Sequence, residues 1–125
     1  MEKEFVPYEQ ALELKKLGFN DECFAGYDIY TKELYIGYEN SQRTFNIEYY
    51  ILAPILAQTF RWFREKYNLI LDIQYYGNWN FEIFRIGEFA EPMDDVNVDY
   101  TFRGGTYEEA ELECLKKLIE IVKSR

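Results

Sequence analysis

Apolar positions along this chain recur first with the period of a helix. Tyr8, Ala11, Leu12, Leu14 and Leu17 fall between Pro7 and Gly18. Proline suits the first helical turn and glycine the left-handed position past the last one, so a helix is predicted here. Phe19 then sits where a Schellman cap would close a contact with Leu14. A second helical stripe begins near Pro54. Leu56, Phe60, Phe63 and Tyr67 lie on one face, while Arg61, Trp62 and Arg64 fall off it. A third stripe follows Thr106-Tyr107-Glu108-Glu109, which fits a capping box. It comprises Ala110, Cys114, Leu115, Leu118, Ile121 and Val122 and runs to about Lys123. Two acids open this helix and Lys123 and Arg125 close it, in keeping with the helix dipole.

Between the helices the period drops to two. Residues 24–30 and 34–38 are rich in aromatic and β-branched side chains, and Thr31-Lys32-Glu33 would join them in a hairpin. Leu69, Leu71, Ile73 and Tyr75 alternate with Ile70, Asp72, Gln74 and Tyr76. Gly77-Asn78 marks a tight turn, and Trp79, Phe81 and Ile83 continue on a returning strand to about Ile86. Glu39 to Thr44 reads as a polar loop and Glu91-Pro92 as a chain break. Val96, Val98, Tyr100 and Phe102 form a last alternating run, ended by Gly104-Gly105. The predicted order is α-β-β-α-β-β-β-α. No βαβ unit with a Gly-rich turn occurs in it. The fold class that follows is α+β: an antiparallel, hairpin-rich sheet of about four to five strands, with three helices packed mainly on one face. Tyr8-Glu9-Gln10-Ala11 and Tyr107-Glu108-Glu109-Ala110 echo each other, but good helix openings converge on such sequences.

The length of 125 residues fits a single domain spanning 1–125. A chain of this size buries roughly two-thirds of its unfolded surface, enough for a core without staples. The aromatic share, 19% with 12 Tyr and 10 Phe, is the unusual number. Tyr joins an apolar body to a polar tip, so it serves half-buried sheets and binding surfaces alike. The net charge of −9 opposes non-specific binding to nucleic acid, and otherwise accords with ordinary solubility. The N-terminus is charged, and no apolar run approaches the ~20 residues of a membrane span. A cytoplasmic location with no membrane association is expected.

Candidate chemistry is sparse. The chain has no histidine, so the commonest general base and the usual nucleophilic triads are missing. Neither common phosphate-cradling motif occurs. The 23 acids make chance carboxylate pairs certain, so such pairs carry little weight. Asp95-Val96-Asn97-Val98-Asp99 begins like a calcium loop, but Tyr100 and Thr106 stand where glycine and a bidentate glutamate belong. A polar edge-strand face is the simpler reading. Cys23 and Cys114 have no partner motif, which argues against zinc; two buried free thiols are simpler than one disulfide. Catalytic residues, metal and cofactor are all expected to be absent, and the chain is read as not an enzyme. The best candidate for function is aromatic: Tyr75, Tyr76 and Trp79 around the Gly77 turn, with Arg61, Trp62 and Arg64 of the second helix. One of Tyr75 and Tyr76 should face the core and the other stand exposed. Exposed Trp, Tyr and Arg make a hot-spot set; the plainer reading is that the aromatics fill the sheet.

Three phrases carry a resemblance: Tyr8-Glu9-Gln10-Ala11-Leu12, Phe60-Arg61-Trp62-Phe63-Arg64-Glu65-Lys66-Tyr67 and Tyr107-Glu108-Glu109-Ala110. They resemble small hypothetical proteins carried by gut bacteria, their phages and other mobile elements. The resemblance covers most of the chain in order and implies a mobile-element origin. It assigns no activity and no site residue. Two functions are therefore expected as alternatives. One is a non-catalytic accessory protein that binds another protein or a second copy of itself. The other is a small-ligand binder holding a nucleotide-like molecule between Tyr76, Trp79 and Arg61.

Overall fold

A computed structural model of the chain describes residues 4–37, 46–85 and 105–124, and the backbone of 98–102. Its elements run α1 (Tyr8–Lys16), β1 (Ala25–Asp28), β2 (Leu34–Ile36), β3 (Tyr50–Leu52), α2 (Leu56–Tyr67), β4 (Leu69–Tyr75), β5 (Trp79–Arg85), β6 (Val98–Phe102) and α3 (Tyr107–Lys123). The α+β class is therefore correct, but the single sheet is not. Among the described residues the strands form two antiparallel sheets, ordered β2-β1-β3 and β4-β5-β6. The chain divides into two compact units, Met1–Leu56 and Ala57–Arg125.

In the first unit α1 ends as its sequence dictates. Gly18 has φ +96°, its N–H donates to Lys15 O at 3.0 Å, and the Phe19 N–H donates to Leu14 O at 3.0 Å. These two bonds are the Schellman pair, and they bury Phe19 beside the helix end. The helix buries Ala11 and Leu14 and packs against β3. The β1–β2 hairpin turns where Asp28 accepts N–H bonds from Tyr30 (2.8 Å) and Thr31 (2.9 Å). Those bonds, Thr31's first, hold its carboxyl below the ordinary range. Lys32 takes the left-handed conformation at φ 62°. The first strand is shorter than the predicted 24–30, because this Asp-led turn claims Ile29 and Tyr30.

The third strand was not predicted. It has three residues, too few for a period-two signal, and it pairs back across β1 with Gly26 opposite Leu52 and Tyr27 opposite Ile51. Phe5 and Val6 are tied in alongside it. Phe5 bridges Ile55, the Val6 N–H donates to Pro54 O at 2.9 Å, and the Tyr27 hydroxyl donates to Val6 O at 2.7 Å.

In the second unit α2 stops at Asn68, whose φ of 57° turns the chain into β4. Its buried positions are Leu56, Thr59, Trp62 and Phe63, whereas Phe60 and Tyr67 are half-buried. The predicted stripe was thus rotated: the inward arc centres near Thr59 and Phe63 and is wide enough to take in Trp62. All buried polar side-chain atoms among the described residues have hydrogen-bond partners. Strands β4 and β5 pair from Leu69–Arg85 to Tyr75–Trp79, and β6 pairs with β5 from Ile83–Val98 to Trp79–Phe102. Alternation puts Leu71, Ile73, Phe81 and Ile83 on one face and Asp72, Gln74, Asn80 and Glu82 on the other. Helix α3 packs against β4 and β5. Its Thr106 cap accepts the Glu109 N–H at 3.3 Å, as the capping box predicted. Its buried stripe is Ala110, Cys114, Leu115, Leu118, Ile119 and Val122. Ile119 is buried where Ile121 was expected, because it follows Leu118 and lies four residues after Leu115 on the inward arc, and Ile121 is only half-buried.

The two units wire their strands differently, a central β1 in one and a simple meander in the other. One echoing helix precedes the strands of its unit and the other follows them, and only the second has a side-chain cap, from Thr106. The expected loop at Glu39–Thr44, the break at Glu91-Pro92 and most of the calcium-like stretch at Asp95–Asn97 lie outside the described residues.

Candidate functional site

The β4–β5 hairpin turns at the predicted Gly77-Asn78, but Tyr76 joins the turn as well, so it has three residues. Gly77 has φ +81°, a conformation that side chains resist, and open space surrounds it. Asn78 O accepts the Tyr76 N–H at 3.0 Å and the Asn80 side-chain amide at 3.2 Å, which fixes the tip.

This tip gathers the aromatic residues. The Tyr75 and Trp79 rings lie 5.0 Å apart, and Trp79 meets Tyr107 edge-on at 5.3 Å. Tyr75 is 63% exposed, Tyr76 73% and Tyr107 43%, while Trp79 is half-buried between its neighbours. The expectation that one of Tyr75 and Tyr76 would face the core is thus overturned. Tyr75 is the last residue of its strand and Tyr76 already belongs to the turn, so pleat alternation no longer governs them.

In the sequence Tyr107 marks only a helix opening. Register could have revealed its role: Phe102 pairs with Trp79, so the chain leaving β6 must begin α3 near the hairpin tip. Burial pushes the Tyr107 hydroxyl's pKa up, and Glu111, Cys114 and Glu108 push it further. The Glu111 carboxyl is raised by its own burial and then by Glu108. The rings therefore stand beside carboxylates at the start of α3.

The α2 residues expected to join this patch do something else. Trp62 is only 7% exposed, not off the apolar face, and it packs edge-on against Phe63 (5.1 Å) and Tyr67 (5.5 Å). The cation over its ring, at 5.1 Å, is Lys66 rather than an arginine. Arg61 is exposed and donates to Glu65 Oε1 at 2.9 Å, which raises its already high pKa. Arg64 is exposed on the same helix. The expected set thus separates into a tip of Tyr75, Tyr76 and Trp79, a buried Trp62 and two surface arginines of α2.

Cys23 and Cys114 are buried and form no disulfide, and the Cys23 thiol donates to Asp21 O at 3.3 Å. Burial, then Glu111, pushes the Cys114 pKa up to about 12, which holds it as an unreactive thiol. Among the described residues no group of acids or cysteines is placed to hold a metal ion, and no helix is long and apolar enough to cross a membrane. No protein-family model, curated protein or solved structure matches the chain.

Proposed function

We propose that this chain is a non-catalytic accessory protein of a phage or mobile element, and that it acts by binding another protein through the β4–β5 tip. One observation carries the reading. Tyr75 and Tyr76 stand exposed at the hairpin tip, where Tyr75 is in ring contact with Trp79 and Trp79 in turn with Tyr107. Rigid Tyr and Trp side chains give large contact area for little conformational entropy, and they dominate measured hot spots.

The carboxylates of Glu108 and Glu111 beside Tyr107, in a chain of net charge −9, favour a partner segment bearing Lys or Arg. Such a segment would be steered in by the field and held over the ring faces. The mobile-element origin rests on the resemblance of the three sequence phrases above.

The test uses wild type and a Tyr75→Ser/Tyr76→Ser variant as parallel baits in host lysate. The proposal expects a stoichiometric partner on wild type that high salt weakens and the variant loses. Equal recovery on both baits would remove the tip from the account. A sizing measurement on each bait shows whether the partner is a second copy of the chain.

A further inference from the structure

The first unit contains a cavity of about 250 Å³ beside the C-terminal end of α1. It is lined by Ala11 and Phe19, by Tyr50 and Leu52 of β3, and by the exposed Ile47. Lys15 and Asn20 also line it, and among the described residues no carboxylate does. Lys15 is exposed and has no ion-pair partner among the described residues, whereas the neighbouring Lys16 is paired with Glu13 at 3.4 Å.

Both aromatic walls are held in place. The Schellman bond at Phe19 N–H fixes one. The Tyr35 ring, edge-on at 6.2 Å, supports Tyr50 from across β1. It can do so because β1 presents Gly26, with no side chain, between the two outer strands. Tyr35 is held in turn by donating its hydroxyl to Glu33 at 3.2 Å. The site is therefore preorganised, with two aromatic walls and one cation.

We propose that this cavity binds a small amphipathic anion: a flat, ring-bearing body between Phe19 and Tyr50, with its anionic group on the Lys15 ammonium. The volume is below the usual range of about 300–1,000 Å³ for drug-sized ligands, which favours a compact ring system. The residues are distinct from those of the hairpin tip, so the two proposals stand or fall separately.

Backbone NMR titration of the full chain tests it, with 2-naphthoate and a purine nucleoside 5′-monophosphate as probes and 2-naphthalenemethanol as the neutral control. Saturable shifts at Phe19, Tyr50 and Leu52 with either anion support the proposal, and the one that binds distinguishes a carboxylate from a phosphate head group. The exposed variants Lys15→Glu and Ile47→Glu should each weaken that binding about tenfold, through lost attraction and new repulsion. No binding by either anion, equal binding of the neutral control, or a Lys15→Glu variant that binds like wild type would overturn it.

Discussion

Two aromatic clusters in the second unit put similar residues to opposite uses. Trp62, Phe63 and Tyr67 touch one another on α2, with Trp62 and Phe63 buried. Tyr75, Trp79 and Tyr107 also touch in sequence, yet two of the three are exposed and Tyr76 stands out beyond them. Composition is the same in kind. Position decides the outcome. The helical cluster lies on an arc that folding must bury, whereas the hairpin cluster lies where a strand has run past its core. The aromatic surplus is thus divided between stabilising the fold and furnishing a surface.

The comparison can be broken most forcefully at Phe63. Replacement by Ala removes a fully buried ring and should cost about 4 kcal/mol in denaturant unfolding. A loss below about 1 kcal/mol would show that the cluster is not core. At the hairpin, Gly77→Ala should destabilise by about 1 kcal/mol even though nothing crowds the new methyl, because φ is +81°. Unchanged thermal unfolding would mean that the turn adopts another conformation.

The Tyr75→Ser/Tyr76→Ser variant should lose less than about 1 kcal/mol, since it forfeits exposed area and one ring contact. Unfolding at the level of Phe63→Ala would make the tip structural. The smallest effect concerns Glu111. Its carboxyl is raised above its ordinary 4.5 in the folded chain, by burial and then by Glu108. The folded state therefore holds this proton more tightly than the unfolded state, and ionisation costs stability as pH rises through the raised value. Glu111→Gln should be slightly more stable than wild type at neutral pH, and the advantage should vanish below pH 4.5. A pH-independent difference would refute that cause.

What the sequence made legible was local. The Pro7–Gly18 helix with its Phe19 closure, the Gly77 turn and the Thr106 cap each depend on residues a few positions apart, and each appears as read. The α+β class followed from those pieces. The sheet count did not, because β3 has three residues and its partner β1 lies more than twenty positions away. Nothing in Tyr50-Ile51-Leu52 announces that pairing.

The candidate site was half legible. The turn located Tyr75, Tyr76 and Trp79, but Tyr107 joins them only through the register of β6. Trp62 was misplaced because helical periodicity fixes the direction of an apolar arc only to within its width. The cavity beside α1 was invisible for the same reason as β3, whose Tyr50 and Leu52 form its far wall.

The division of the aromatics is most directly tested with the two tryptophans. Trp62→Phe leaves Trp79 as the sole indole, and Trp79→Phe leaves Trp62. Acrylamide quenching of each folded variant reports how far solvent reaches the ring. The account predicts ready quenching with Trp79 alone and strong shielding with Trp62 alone, the shielding disappearing on unfolding. Equal quenching of the two, or a better-shielded Trp79, would contradict it.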